Sequence, residues 1–144
     1  MSFIPLALAA LAAGPLDPGP SVHALVVAAS AGGEGQSPLA HAVDDARAMQ
    51  AVLGEVGRVS ADRVTRLIDP RPEDVLAAID AIRSRITSED AGQSMFVFYY
   101  SGHARSDAID LGKQPLSLDV LRAKLDSVPA TVRIVVLDAC QSGA

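Results

Sequence analysis

Only one cysteine, Cys140, occurs among the 144 residues. A single thiol excludes an intramolecular disulfide framework, so Cys140 is either free or paired between molecules. The three histidines, His23, His41 and His103, do not have the spacing of metal ligands. The sequence therefore gives no support for a disulfide-stabilised scaffold or a metal hydrolase.

Basic side chains are outnumbered. Twelve Lys and Arg stand against 17 Asp and Glu, which gives a net charge of −5 and an isoelectric point near 5.0. Such a surface argues against general binding to nucleic acid or to an anionic membrane. Low-complexity tracts are also missing, and 49% of the residues are hydrophobic. This composition predicts one globular domain of ordinary size.

No apolar run reaches the roughly 20 residues that a bilayer requires. The N-terminal "SFIPLALAALAAGPLDPGP" instead has a short apolar stretch with an A-x-A pattern at residues 10–12, which is typical of a secretory signal. No Lys or Arg precedes Arg47, so the usual basic start is missing, and an apolar leader or misassigned start is the alternative. We expect residues 1–20 to lie outside the fold. The location is periplasmic or secreted if residues 1–12 are a signal peptide, and cytoplasmic otherwise.

Strand-like and helix-like patterns alternate over residues 21–144. Runs rich in apolar residues predict strands at 22–30, 63–69, 94–103 and 132–140, and a sheet with both faces covered would bury them. Apolar residues at three- and four-residue spacing predict helices over 39–56, 72–86 and 117–128. Residues 107–115 are expected to form a loop with room for a short edge strand. The order predicts an α/β fold, a three-layer sandwich with a mostly parallel sheet.

Two chemically capable side chains follow predicted strands. His103 comes directly after "FVFYYSG" and Cys140 directly after "RIVVLDA". The carboxyl ends of parallel strands meet at one edge of a sheet, so the two side chains can converge if their strands are neighbours, about 5 Å apart. An imidazole there can take the thiol proton and later protonate a leaving amine. Taken singly, each residue has an ordinary structural interpretation, a buried thiol or a solvated histidine; their joint occurrence favours catalysis.

"YYSGHA" and "VVLDACQSGA" together resemble the caspase–metacaspase superfamily of cysteine peptidases. The cysteine segment is closer to the metacaspase pattern D-S-C-H-S-G than to the caspase pattern Q-A-C-x-G. "LAHAVDDA" resembles the G-C-x-N-D-A element of the same family. The resemblance extends from Val22 to Ala144.

The resemblance implies a catalytic dyad, with His103 as general base and acid and Cys140 as nucleophile. It assigns the oxyanion hole to the amides of Cys140 and of Ala104, where the family usually has glycine. An alanine amide donates equally well if its φ is negative. Protein or peptide substrates follow from this assignment.

The resemblance also implies a substrate preference. Metacaspases hold Arg or Lys before the scissile bond with acidic and hydroxyl side chains at the positions of Asp45, Ser101 and Asp138. A partly desolvated carboxylate binds a guanidinium and repels an acidic side chain. We therefore expect cleavage after Arg or Lys. The structural alternatives are a turn or cap role for Asp138 and a solvated helix charge for Asp45.

In this family the sheet continues for about two more strands beyond the nucleophile. The sequence therefore resembles the larger-subunit-like portion of a longer domain, with a C-terminal partner segment or subunit expected. A catalytically silent scaffold or interaction module is the alternative. No cofactor is expected, although calcium activation is known in the family and no acidic cluster has calcium-loop spacing.

A nucleotide-binding or receiver-type α/β module is a further alternative. "GGEGQS" after the first strand invites a phosphate-loop interpretation. However, Pro38 occupies the position of the third fingerprint glycine, and no Lys occurs before Lys113 to complete a Walker motif. These departures disfavour that alternative.

Overall fold

The computed structural model describes residues 19–33, 35–89 and 93–139. The N-terminal leader predicted for residues 1–20 lies almost entirely outside this range, as does Cys140. The elements in chain order are strand β1 (Ser21–Ala28), helix α1 (Ala42–Glu55), strand β2 (Val64–Ile68), helix α2 (Pro72–Glu89), strand β3 (Ser94–Ser101), strands β4 (Ala108–Leu111) and β5 (Gln114–Ser117), helix α3 (Leu118–Asp126) and strand β6 (Val132–Asp138).

Four strands form one sheet in the order β2-β1-β3-β6, and all its pairings are parallel. The central strands β1 and β3 are short and apolar because a parallel sheet covered by helices buries both of its faces there. β1 shows this most clearly, since Ala24 to Ala28 are completely buried. The predicted α/β fold with a mostly parallel sheet is confirmed.

Alternate residues of the central strands face opposite helical layers. Leu25 and Phe98 face one layer, where they pack with residues of α2 and α3 such as Ile79 and Leu121. Val26 and Tyr99 face the other layer, where they pack with Ala42 and Ala46 of α1. Alternate strand residues thus pack against the apolar faces of the helices, as the sequence predicts. The result is the expected three-layer arrangement.

Three details differ from the sequence-based expectations. The strand predicted to be buried at 132–140 is β6, whose residues Val132–Asp138 are all exposed because β6 lies at the edge of the described sheet. The region 107–115 was expected to be a loop with at most one short strand, whereas β4 and β5 form an antiparallel hairpin whose residues Ile109 and Leu116 are buried. Val56 was expected on the buried face of the first helix, but it is 77% exposed. Helix α1 ends at Glu55, and Val56 is its C-terminal cap beside Gly57. The apolar spacing therefore continued one residue beyond the end of the helix.

No helix in the described ranges combines the length and apolar character needed to cross a bilayer.

The core on the α2 side makes a direct prediction about stability. Ile79 is completely buried there, so Ile79→Ala should lower the free energy of unfolding by about 2–5 kcal/mol because it leaves a cavity. Val120 on α3 is 48% exposed, and Val120→Ala is the control, with a change of about 0.5 kcal/mol or less. Urea titration followed by circular dichroism measures both. Equal losses for the two variants would contradict this packing.

Candidate active site

The strands that precede His103 and Cys140 are neighbours. β3 and β6 pair in parallel with Ser101 opposite Asp138, and the Gly102 amide extends the pairing by donating to the Asp138 carbonyl at 3.3 Å. The condition stated from the sequence, that the two strands are neighbours, is met, so the His103 turn begins beside Asp138. Cys140 itself lies outside the described residues.

His103 is held by a backbone carbonyl. The residue is 7% exposed, and its Nε2 lies 2.9 Å from the carbonyl oxygen of Ser37 in the loop between β1 and α1. A carbonyl oxygen can only accept, so Nε2 carries the hydrogen. In the neutral ring the basic nitrogen is then Nδ1. The contact thus fixes both the orientation of the imidazole and the nitrogen that can take a proton.

Tyr100 supports the turn that carries His103. Its buried hydroxyl shares one proton between the carbonyl oxygens of His103, at 2.6 Å, and Asp110, at 2.8 Å. The Asp110 amide donates to the same His103 carbonyl at 2.9 Å. Position 102, between Tyr100 and His103, requires glycine because a Cβ there would overlap the Tyr100 side chain. The turn therefore has little freedom to move.

A buried carboxylate braces the other side of this turn. Asp110 is 5% exposed and accepts from Nη2 and Nε of Arg105, at 2.7 and 3.0 Å. It also accepts from Nε2 of Gln36 at 3.0 Å, while the Gln36 amide oxygen accepts from the Gly33 amide. A charge can be buried when it is paired and hydrogen-bonded in this way. The network ties the loop after β1 to the hairpin of β4 and β5.

The three residues predicted to set specificity meet in one cavity. Asp45, Ser101 and Asp138 line a space of about 250 Å³ that His103 also borders. The Ser101 hydroxyl donates to Asp45 Oδ2 at 3.1 Å, and the Tyr99 hydroxyl donates to Asp138 Oδ2 at 3.1 Å. Within the described ranges, neither carboxylate forms an ion pair with Lys or Arg. Two oriented carboxylates without a paired cation favour a cationic ligand.

Ala104 meets the backbone condition for an oxyanion donor. Among the described residues other than glycine, only Arg58 and Asp69 have positive φ, so Ala104 keeps a negative φ. Ala104 lies opposite Ile109 in an isolated antiparallel bridge. The amides of Arg105 and Asp110 donate the hydrogen bonds of that bridge. The Ala104 amide is therefore not used by this pairing.

Sequence reasoning did not place Ser37 in the site, and it noted the residues from Leu39 to Ala42 only as part of "LAHAVDDA". Ser37 acts through its backbone carbonyl, which every residue type possesses. Other lining residues belong to the end of the β1–α1 loop and the first turn of α1: Leu39, Ala40, His41 and Ala42. Their position depends on where α1 begins, three residues later than the apolar spacing predicts. Of these, His41 is the one whose side-chain chemistry drew attention in the sequence.

The chain is similar to a known protein family. Residues 21–144 match the family model described as "Caspase domain". A search of curated proteins finds no match. The matched range begins with β1 and includes both strand ends that form the cavity.

The contact between Tyr99 and Asp138 predicts an unusual titration. Burial, followed by the hydrogen bond and negative charge of Asp138, raises the pKa of Tyr99 to about 12. The neutral hydroxyl is favoured in the fold, so its contribution to stability is present below pH 10.0 and is lost as the pH rises through about 12. Tyrosinate absorbance of the folded protein should therefore not rise near pH 10.0. Burial also raises the pKa of Tyr100, the only other tyrosine.

Asp138→Asn tests the cause, because it removes the negative charge while keeping the side-chain shape. Tyr99 should then ionise at a lower pH than in the unmodified protein, though still above its ordinary value because burial remains. Tyr99→Phe assigns the absorbance signal to Tyr99. An unchanged titration in Asp138→Asn would contradict the contact.

Proposed function

The chain belongs to the caspase-domain family, and from this premise we propose that it is a cysteine endopeptidase that uses a His103–Cys140 dyad and cleaves after Arg or Lys. Its substrates are proteins or peptides. The observation that carries the proposal is the cavity beside His103, in which the carboxylates of Asp45 and Asp138 lie together.

The proposed reaction starts with proton transfer from the Cys140 thiol to Nδ1 of His103. The thiolate attacks the scissile carbonyl carbon, and the protonated imidazole then gives its proton to the leaving amine. Water, deprotonated by the same imidazole, hydrolyses the resulting thioester and releases the thiol. The bond from Nε2 to the Ser37 carbonyl supports this sequence because it stabilises the imidazolium and directs Nδ1 as the base.

The tetrahedral intermediates carry an oxyanion, for which we assign the amides of Cys140 and Ala104 as donors. The negative φ of Ala104 supports its half of this assignment. The support of the His103 turn by the Tyr100 hydroxyl matters here as well. The Ala104 amide is one residue from His103, so it keeps its position only if the His103 turn keeps its conformation.

The proposed specificity follows from charge. A guanidinium or ammonium group that enters the cavity meets the carboxylates of Asp45 and Asp138, and the hydroxyl of Ser101 orients the first of them. An acidic side chain would meet the same two negative charges in a partly desolvated space and be repelled.

A catalytically silent interaction module is the second candidate, and strand β6 favours it. Five of its large apolar side chains are 37–48% exposed: Val132, Ile134, Val135, Val136 and Leu137. Apolar residues on an unpaired strand edge are typical of a surface that pairs with another segment. The same exposure fits the expected C-terminal partner segment or subunit, which would cover β6.

Fluorogenic peptides with Arg, Lys or Asp before the cleaved bond test the specificity. We expect turnover of the Arg and Lys peptides and none of the Asp peptide. Asp138→Asn should lower kcat/KM for the Arg peptide by roughly fivefold, since Asp138 is exposed and a charge pair at an exposed position is worth up to about 1 kcal/mol. Asp119→Asn, a change in the first turn of α3 outside the cavity, is the control. Turnover of the Asp peptide alone would refute the assignment.

No cofactor is expected, and the same peptide assay, run with and without calcium, tests this against the calcium activation known in the family. No three acidic, histidine or cysteine side chains converge on one point in the described part of the chain.

The nucleophile is tested by labelling. An Arg-directed alkylating peptide should alkylate Cys140 in the protein without substitutions. His103→Ala should slow this alkylation because the thiol loses its base. Cys140→Ala should abolish both labelling and turnover, while circular dichroism checks that each variant remains folded. Labelling that persists in Cys140→Ala would show that another residue is the nucleophile. A protein that never labels and cleaves no peptide would support the interaction module.

A further inference from the structure

Asp69 makes an unusual set of contacts at the same edge of the sheet as the cavity. It follows β2 directly, and its carboxylate reaches across to the segment after β1. Oδ1 accepts from the amides of Ser30 and Ala31, at 2.6 and 3.0 Å, and Oδ2 accepts from the Ser30 hydroxyl at 2.8 Å. One side chain therefore binds three donors on two successive residues.

The backbone of Asp69 is shaped for this role. Its φ of 47° lies in the left-handed region, which Asp tolerates better than most residues other than glycine. Its own amide donates to the Ala28 carbonyl at 2.8 Å. Burial disfavours the charged carboxylate, but the bonds from Ala31 and Ser30 outweigh it and hold the pKa of Asp69 below its ordinary value of 3.8. Asp69 is therefore ionised and able to accept at neutral pH.

The contacts continue from Asp69 to His103 through the loop after β1. The carbonyl of Ser30 accepts from the amide of Leu39 at 2.9 Å. Leu39 lies two positions after Ser37, whose carbonyl oxygen binds Nε2 of His103. Ser30 is thus held by Asp69 on one side and holds the Leu39 end of the loop on the other. The position of the Ser37 carbonyl depends on this connection.

We propose that Asp69 is a positioning residue for His103, which acts by fixing the β1–α1 loop so that the Ser37 carbonyl holds Nε2. Its effect on catalysis rests on the proposed peptidase function, whereas its effect on the imidazole does not. Asp69 touches neither the cavity nor the dyad among the described contacts. Its function is to select the tautomer and orientation of the base.

The test compares two substitutions at position 69. Asp69→Gly removes the carboxylate, and glycine adopts a positive φ without strain, so the variant tests the side chain alone. Asp69→Asn keeps an Oδ1 that can accept from both amides and changes only the group that faces the Ser30 hydroxyl. Asp69 is exposed, so neither substitution creates a core cavity. Asp62→Gly, an exposed carboxylate before β2, is the matched control.

The first readout is independent of peptidase activity. Long-range proton–nitrogen correlation spectra of the imidazoles report which nitrogen carries the hydrogen, and His103→Gln assigns the signals among the three histidines. The unmodified protein, Asp69→Asn and Asp62→Gly should show the Nε2–H tautomer of His103. Asp69→Gly should show a mixture of tautomers. A pure Nε2–H pattern in Asp69→Gly would overturn the proposal.

The second readout is peptide turnover. Asp69→Gly should lower kcat for the Arg peptide on the order of tenfold to a hundredfold, with a smaller change in KM, because a displaced catalytic group costs rate more than binding. Asp69→Asn should restore most of the rate. If the tautomer changes but the unmodified protein cleaves nothing, the positioning role stands and the peptidase function fails. If the rate falls equally in Asp69→Asn and Asp69→Gly, the loss is not due to the amide contacts and the proposal fails.

Discussion

The parallel pairing of β3 with β6 is the constraint on which the rest of the site depends. It places Ser101 opposite Asp138, so these two predicted site residues take their relative position from that register. A shift by one residue would turn Asp138 to the other face of the sheet, because side chains alternate along a strand. Such a shift would also break the hydrogen bonds that the Tyr99 hydroxyl and the Gly102 amide donate to Asp138. The sheet therefore acts as a rigid support for a small polar site at its edge.

Above that support, buried polar groups position the reactive ones. The hydroxyls of Tyr99 and Tyr100 come from adjacent residues on opposite faces of β3, so one binds Asp138 and the other supports the His103 turn. Asp110, paired with Arg105, joins that turn to the loop after β1. Each of these groups is hydrogen-bonded or ion-paired in the fold, which offsets the free-energy cost of removing it from water. Rigid polar support of this kind is what preorganised catalysis requires.

Much of the fold could be predicted from the sequence because its elements have strong, simple patterns. The apolar-rich runs predicted all four sheet strands, and no predicted strand end differs from the observed one by more than two residues. The helical spacing predicted three helices. The hairpin of β4 and β5 could not be predicted, because its four-residue strands are too short to show a period. Val56 was misplaced for a related reason: periodicity shows which face is apolar, but it does not show where packing ends.

The resemblance to the caspase–metacaspase superfamily suggested Asp45, Ser101 and Asp138 as specificity residues, and the sequence by itself determined the first part of the candidate site: a histidine and a cysteine that each follow a predicted strand. Local order alone was sufficient because strand ends of a parallel sheet share one edge. Only the tertiary structure decided how these groups are held. The Ser37 carbonyl and the Asp69 carboxylate act from distant loops. Such contacts depend on backbone geometry and on three-dimensional proximity, neither of which leaves a pattern of residue types in the chain.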